Sequence, residues 1–215
     1  MSTTRTALLV GVCLAVLLPW PSNAMEEEDI LKWDPPTRLK KRFPYYKSGE
    51  DLDGAEVWIV PFGKWDDLDI VNDGGQRVED YKKYYRQMYT RMSATNRNDD
   101  FSKHSVVIMD MDGFNQAKAL SINGNLVAFD NLRTFQAYAR NGGFKKGIIV
   151  NVNPLFEALL NLGKPILGRL GEFLDVYGTN SERWIPRVLK EIPADQLPKM
   201  YGGSKAQEDL TAFGR

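Results

Sequence analysis

Two aspartates one residue apart are the side chains best equipped for chemistry. Val106-Val107-Ile108-Met109 is an unbroken apolar run, and Asp110, Met111, Asp112 and Gly113 follow it directly. A carboxylate at the end of a buried strand can attack phosphorus, and a second one two residues on can handle protons beside Mg2+. That chemistry also needs a later acidic pair at a strand end to complete a metal site, and none follows. The plainer use of Asp110 and Asp112 is to close a strand-to-loop turn by hydrogen bonding to nearby backbone. Asp-x-Asp-Gly also matches the opening of a calcium loop, but the ligand Glu further on is absent.

Other chemistry is sparse. His104 and Cys13 are the sole His and Cys, whereas a His/Cys zinc site needs three or four ligands. His104 has no Ser or Cys partner signature, so it reads as structural. Asn72-Asp73-Gly74-Gly75 lacks the Lys-Ser/Thr sequel of a phosphate loop and reads as a turn. The 28 basic and 28 acidic residues cancel, so no global field draws the chain to nucleic acid or to an anionic membrane. No metal or cofactor is expected, and any lipid contact must be hydrophobic and local.

The elements that position these residues follow from periodicity. The 215 residues, 43% hydrophobic and 26% charged, suit one α/β domain with extensions. Residues 55–60, 105–109 and 147–152 read as buried strands, and 173–177 as a further one. Helices are expected at 37–43, at 77–92, around 128–139 and from 181 to 189, the last capped by Asn180 or Ser181. On the helix at 77–92, Val78, Tyr81, Tyr85, Met88 and Met92 form one apolar stripe. Asn123-Gly124 reads as a turn, Gly142-Gly143 as a helix end, and 95–103 as a loop. Pro186 should kink the last helix. Continuous apolar strands alternating with amphipathic helices imply a mainly parallel sheet covered by helices.

The ends differ from this core. Residues 1–24 carry one charge, Arg5, then the 14-residue run Ala7–Trp20, with prolines at 19 and 21, and Ser22-Asn23-Ala24. That is the layout of a cleavable signal peptide, and the run is shorter than the roughly 20 residues of a spanning helix. A secreted location is expected if the leader is used, and a cytoplasmic one if translation starts at Met25. Residues 25–50 form a charged extension with an irregular approach to the core, 51–203 the domain, and 204–215 a polar tail.

Pro154–Phe173 stands apart. Leu155, Phe156, Leu159, Leu160, Leu162, Ile166, Leu167, Leu170 and Phe173 spread around a helix interrupted at Gly163 and Pro165. One reading is a core helix. The other is a movable lid with one apolar face over a ligand and another meeting a membrane, with Glu157, Lys164 and Arg169 at headgroup level.

Several stretches in order resemble the CRAL-TRIO lipid-binding family. They are Ile30–Pro36, Val57–Asp66, Asp110–Phe114, Ile148–Phe156, Lys164–Leu167, Ile192–Pro198 and Tyr201–Gly203, closest to the supernatant-protein-factor-like branch. The resemblance implies a sheet as the floor of an apolar lipid cavity, closed by a gate helix at 154–173. It also implies a carrier without catalysis, touching membranes transiently through that gate. Cavity candidates are Ile108, Phe114, Phe135, Ile149, Asn151, Phe156, Leu159, Ile166, Leu167 and Leu170. Asn141-Gly142-Gly143-Phe144 replaces the family's Tyr-Pro-Glu-Arg motif, whose Glu serves phosphoinositide headgroups in some relatives. Glu172 or Phe173 stands near the place of an expected Lys. A tocopherol, sterol precursor or retinoid is therefore favoured over a phospholipid. The usual N-terminal helical domain is replaced by the leader-like segment. Two other readings stand beside this one. The first is a degenerate lipid-binding fold acting as a protein-interaction module. The more remote one is a phosphatase at Asp110 and Asp112, which resembles the haloacid-dehalogenase loop but has Phe114 where Thr or Val is usual.

Overall fold

The computed structural model describes residues 27–93, 104–140 and 143–213. The expected leader at 1–24, the loop at 95–103 and Gly142 lie outside the described residues. Short helices α1 (Glu27–Lys32) and α2 (Thr37–Arg42) lead into strands β1 (Tyr45–Glu50) and β2 (Glu56–Val60). After a 3-10 turn at Phe62–Lys64 come α3 (Leu68–Asp73), α4 (Gly75–Ser93) and β3 (Ser105–Asp110). Then follow α5 (Gln116–Leu120), α6 (Ile122–Arg140), β4 (Phe144–Val152) and α7 (Pro154–Leu167). A 3-10 stretch at Gly168–Phe173 leads to β5 (Leu174–Gly178), α8 (Ser181–Val188) and finally β6 (Thr211–Phe213).

The strands form one sheet in the order β5-β4-β3-β2-β1-β6. Neighbours from β2 to β5 are parallel, while β1 runs antiparallel to both β2 and β6. The expected α/β class and mainly parallel sheet are present. The inner strands are apolar on both faces because both faces are covered. Strand alternation sends Val57, Ile59, Val106, Ile108, Ile148 and Val150 to one face, against Trp184, Val188 and Ile192. Trp58, Val60 and Val107 go to the other, against Tyr84, Tyr85, Met88 and Phe135. From β2 to β5 the chain moves one place along the sheet each time, always the same way. Right-handed crossovers then set the connecting helices α4, α6 and α7 on a single face. The opposite face is left to α8 and the C-terminal turns.

Five local expectations meet the structure differently. The approach to the core contains β1, and the polar tail contains β6. Tyr45 pairs with Phe213, and their rings stack at 5.5 Å. Neither strand shows clean alternation: β1 carries a register shift between Lys47 and Gly49, and β6 is three residues long. Asn123-Gly124 lies inside α6 rather than in a turn, because Ser121 Oγ accepts from the Gly124 N–H at 3.0 Å and serves a first-turn donor. Gly163 and Pro165 do not interrupt α7. A Cβ on Gly163 would lie 2.7 Å from Leu132 Cδ2, so the glycine permits close packing on α6. Pro165 removes only the bond to the Asn161 carbonyl, near the helix end. Pro186 likewise sits inside a continuous α8, capped by Asn180, whose Oδ1 accepts from Glu182 N.

Asp110 closes the C-terminal end of β3 and is 3% exposed. Its Oδ1 accepts from Asn151 Nδ2 at 2.8 Å and from the Asp112 N–H at 2.9 Å. Its Oδ2 accepts from the Tyr201 hydroxyl at 2.9 Å. The expected turn-closing role is what this geometry performs, and it also ties β3 to β4 and to the C-terminal segment. Tyr201→Phe would leave a buried acceptor short of its donor, a cost of about 1–3 kcal/mol. In a chain of this size each kcal/mol lowers the melting midpoint by about 2–4 °C. Thermal denaturation by circular dichroism should show that loss; an unchanged midpoint would mean that Asp110 does not hold the C-terminal segment to β3.

Candidate functional site

Between the α4/α6/α7 layer and the sheet the core does not close. A cavity of about 160 Å3 remains, partly open to solvent. Its floor is Met109 at the end of β3 and Ile149 on β4, extended by Met111 and Phe114 from the loop after β3. One wall is α6, which presents Gly124, Asn125, Ala128, Asn131, Leu132 and Phe135, a single face of a 3.6-residue helix. Phe62, Trp65 and Leu68 close one side, and Tyr81 and Tyr89 of α4 another. The roof is α7, with Phe156, Leu159 and Leu160.

Two polar locks hold α7 down at its ends. Asn153 caps it: its Oδ1 accepts from Phe156 N at 3.0 Å, while its Nδ2 donates to the Phe114 carbonyl at 2.6 Å. At the other end Gln136 of α6 donates to the Ile166 carbonyl, one of the acceptors a helix terminus leaves unpaired. Gly168 follows with φ of 53°, a left-handed conformation that suits glycine. The inward stripe is Phe156, Leu159, Leu160, Gly163, Ile166 and Leu167, all buried or half-buried. The outward face exposes Leu155 by 42% and Leu162 by 58%. The apolar residues therefore divide into a core stripe and an outer pair.

Four polar side chains line the cavity. Burial pushes the Asp67 carboxyl above its usual range, although the Tyr81 hydroxyl donates to its Oδ2 at 3.1 Å. Burial also lowers Lys118, against the opposing pull of Asp67 and Asp66; its ammonium donates to the Gly63 carbonyl. Asn125 Nδ2 donates to the Ala119 carbonyl at 3.0 Å. Asn131 Oδ1 is buried without a partner among the described residues. The tyrosines in the wall, Tyr81 and Tyr89, are raised by burial and stay neutral. No nucleophile with an adjacent base appears in this set. An apolar enclosure with a few polar groups is suited to holding a ligand.

Five of the expected residues meet here: Phe114, Phe135, Ile149, Phe156 and Leu159. The other five are placed elsewhere. Ile108 points to the opposite face of the sheet, one residue out of phase with Met109. Asn151, at φ of 59°, spends its amide on Asp110; Asn tolerates that conformation better than most residues. Ile166 is bound through its backbone carbonyl to Gln136. Leu167 is 2% exposed and packs in the main core. Leu170 lines a smaller pocket with Phe135, Phe144 and Phe173. Sequence reasoning missed Trp65 and Phe62, which sit in an irregular loop without periodicity. It read Tyr81 as core stripe, although that same stripe reaches the cavity.

The aspartate motif is not poised for phosphoryl transfer. Both Asp110 oxygens already accept hydrogen bonds, and Asp112 is exposed 3.4 Å from Lys64 Nζ. No cluster of His, Cys, Asp or Glu among the described residues could hold a metal.

Comparison with known proteins places this geometry. The CRAL/TRIO domain profile matches residues 40–203. No curated protein matches the sequence. Among solved structures, the crystal structure of Sfh5 is similar, with a TM-score of 0.63 at 15% identity over 94% of this chain and 73% of that one. The family match supports lipid binding or transfer in general, and the likeness to Sfh5 concerns the fold alone. A profile match over most of the chain settles the kinship: this protein belongs to the CRAL/TRIO domain family.

Proposed function

We propose that the protein carries one hydrophobic lipid in the cavity beneath α7 and exchanges it at membranes, without catalysing a reaction. The observation that supports this reading most directly is the cavity itself. Protein interiors are close-packed. A cavity of about 160 Å3, partly open to solvent, leaves its apolar lining without packing partners, which is a cost to stability. An apolar ligand offsets the cost, gaining about 0.8 kcal/mol per buried CH2.

The roof supports the exchange step. Leu155 and Leu162 face outward on α7, and Leu120, 70% exposed, and Ile122 lie on α5 and α6, which both pack against it. Glu157, Lys164 and Arg169 are exposed on the same segment and suit a headgroup layer. No helix among the described residues is long and apolar enough to cross a membrane, so contact through this face is superficial. The locks at Asn153 and Gln136 are individually weak enough to open when the outer leucines enter lipid.

Native mass spectrometry of the purified chain, followed by organic extraction, should find one lipid per chain. An empty, folded monomer would sink the carrier reading and favour an interaction module. Ala128→Trp, projecting bulk from the α6 wall, should reduce loading at least about tenfold while the circular dichroism spectrum stays unchanged. Retained loading would place the lipid elsewhere. The double variant Leu155→Glu, Leu162→Glu should keep its lipid yet transfer it to phosphatidylcholine vesicles about tenfold more slowly. Transfer at the wild-type rate would exclude this face as the membrane contact.

A further inference from the structure

A second cavity, of about 360 Å3, lies at the β6 edge of the sheet, where α1 and the link to α2 face α4 and the β1–β6 pair. It shares no lining residue with the cavity beneath α7. Its walls are fixed before anything binds. The Gln87 side-chain amide, from α4, donates to the carbonyls of Ile30 at 2.8 Å and Trp33 at 2.6 Å, which holds α1 and the link after it. On the other side β6 is held by Phe213, whose ring stacks on Tyr45. Trp33 and Phe213, both half-buried, give the walls two aromatic rings.

The charges of these walls do not cancel. Lys32, Lys40 and Arg91 line the cavity against one carboxyl, Asp34. Asp34 holds Lys40 at 3.0 Å, and Lys32 lies 4.0 Å from Asp29. Arg91 has no carboxylate partner among the described residues. Its guanidinium donates to the Tyr45 hydroxyl and lies over the rings of Phe213 at 4.9 Å and Tyr45 at 5.8 Å. Burial pushes the Tyr45 hydroxyl up to about 12, so it stays neutral at ordinary pH and balances no charge. That contact engages one amino group, and the planar fork has donors to spare.

One uncompensated positive charge calls for a single negative one. A guanidinium fork matches the two oxygens of a carboxylate, and the aromatic rings beside it suit a flat apolar body. A phosphate monoester carries more charge than this cation balances.

We propose that this cavity is a second binding site, for a small aromatic carboxylate whose acid group sits on Arg91 and whose ring lies against Trp33 and Phe213. This goes beyond the carrier reading and does not depend on it.

Phenylacetate and phenylacetamide share a ring and differ in charge, and isothermal titration calorimetry of the full chain with each tests the site. The wild type should bind the acid at least about tenfold more tightly than the amide. Equal binding of the two, or binding of neither, would overturn the proposal without any variant. Arg91→Gln should bind the acid as weakly as the amide and leave the amide's affinity unchanged. Arg91→Lys, which keeps the charge and loses the fork, should retain part of the preference. A full preference surviving in Arg91→Gln would overturn the proposal. Loss of the amide as well would show that Arg91 only shapes the walls, and would overturn its role as the anion's partner. Ala128→Trp, which fills the cavity beneath α7, should bind phenylacetate as the wild type does. Loss of binding there would put the ligand under α7 and overturn the second site.

Discussion

A buried carboxyl group with both oxygens engaged is the fixed point of this fold. Asp110 meets Asn151 from β4, the backbone of its own loop, and Tyr201 from the far end of the chain. Each partner arrives on a different segment, so satisfying one group aligns three. Burial makes the alignment strict, because an unpaired acceptor in the interior is costly. One face of the sheet is thereby sealed by α8 and the C-terminal turns. With that face filled, the other can tolerate a void without the strands losing register.

The open face is a compromise between packing and access. On the carrier reading proposed above, α7 packs well enough to stay down and loosely enough to lift. Its inner stripe, from Phe156 to Leu167, buries apolar surface, and Gly163 brings its backbone close to Leu132. Its outer leucines, Leu155 and Leu162, remain largely in contact with water. The cavity wall is similarly mixed: aromatic rings give it bulk, beside the polar side chains of Asp67, Lys118, Asn125 and Asn131.

Much of this was legible in the sequence, for physical reasons that can be named. The strands β2, β3 and β4 are continuous apolar runs, and α4 shows a long stripe; both signals come from burial and survive in composition. Among the stretches that carried the family likeness are those of Asp110, Asn151 and Tyr201, which the fold joins by hydrogen bonds. What failed was local. β1 and β6 carry too few alternating residues to register as strands. The Asn123-Gly124 pair has turn propensity that Ser121 overrides by capping. Of the five expected cavity residues placed elsewhere, Ile108 was out of phase because a run such as Val106–Met109 is apolar on both faces and pairing partners set the alternation. Asn151 is engaged by Asp110, and Ile166, Leu167 and Leu170 follow the packing of α7 and the turn after it. Ile108 and Met109 are equally hydrophobic, yet only Met109 faces the cavity.

The pairing of β1 with β6 has a bearing on how the chain is made. β1 is synthesised early and finds β2 within a few residues, but its other edge waits for residues 211–213. Through most of synthesis Tyr45 lacks the Phe213 ring that stacks on it in the finished protein. A nascent chain would thus expose an unpaired strand edge beside an aromatic surface for many seconds at ordinary rates of about 5–20 residues per second. Such an edge invites pairing with another chain. The smallest strand in the sheet is therefore also the one that ends the period of vulnerability to aggregation.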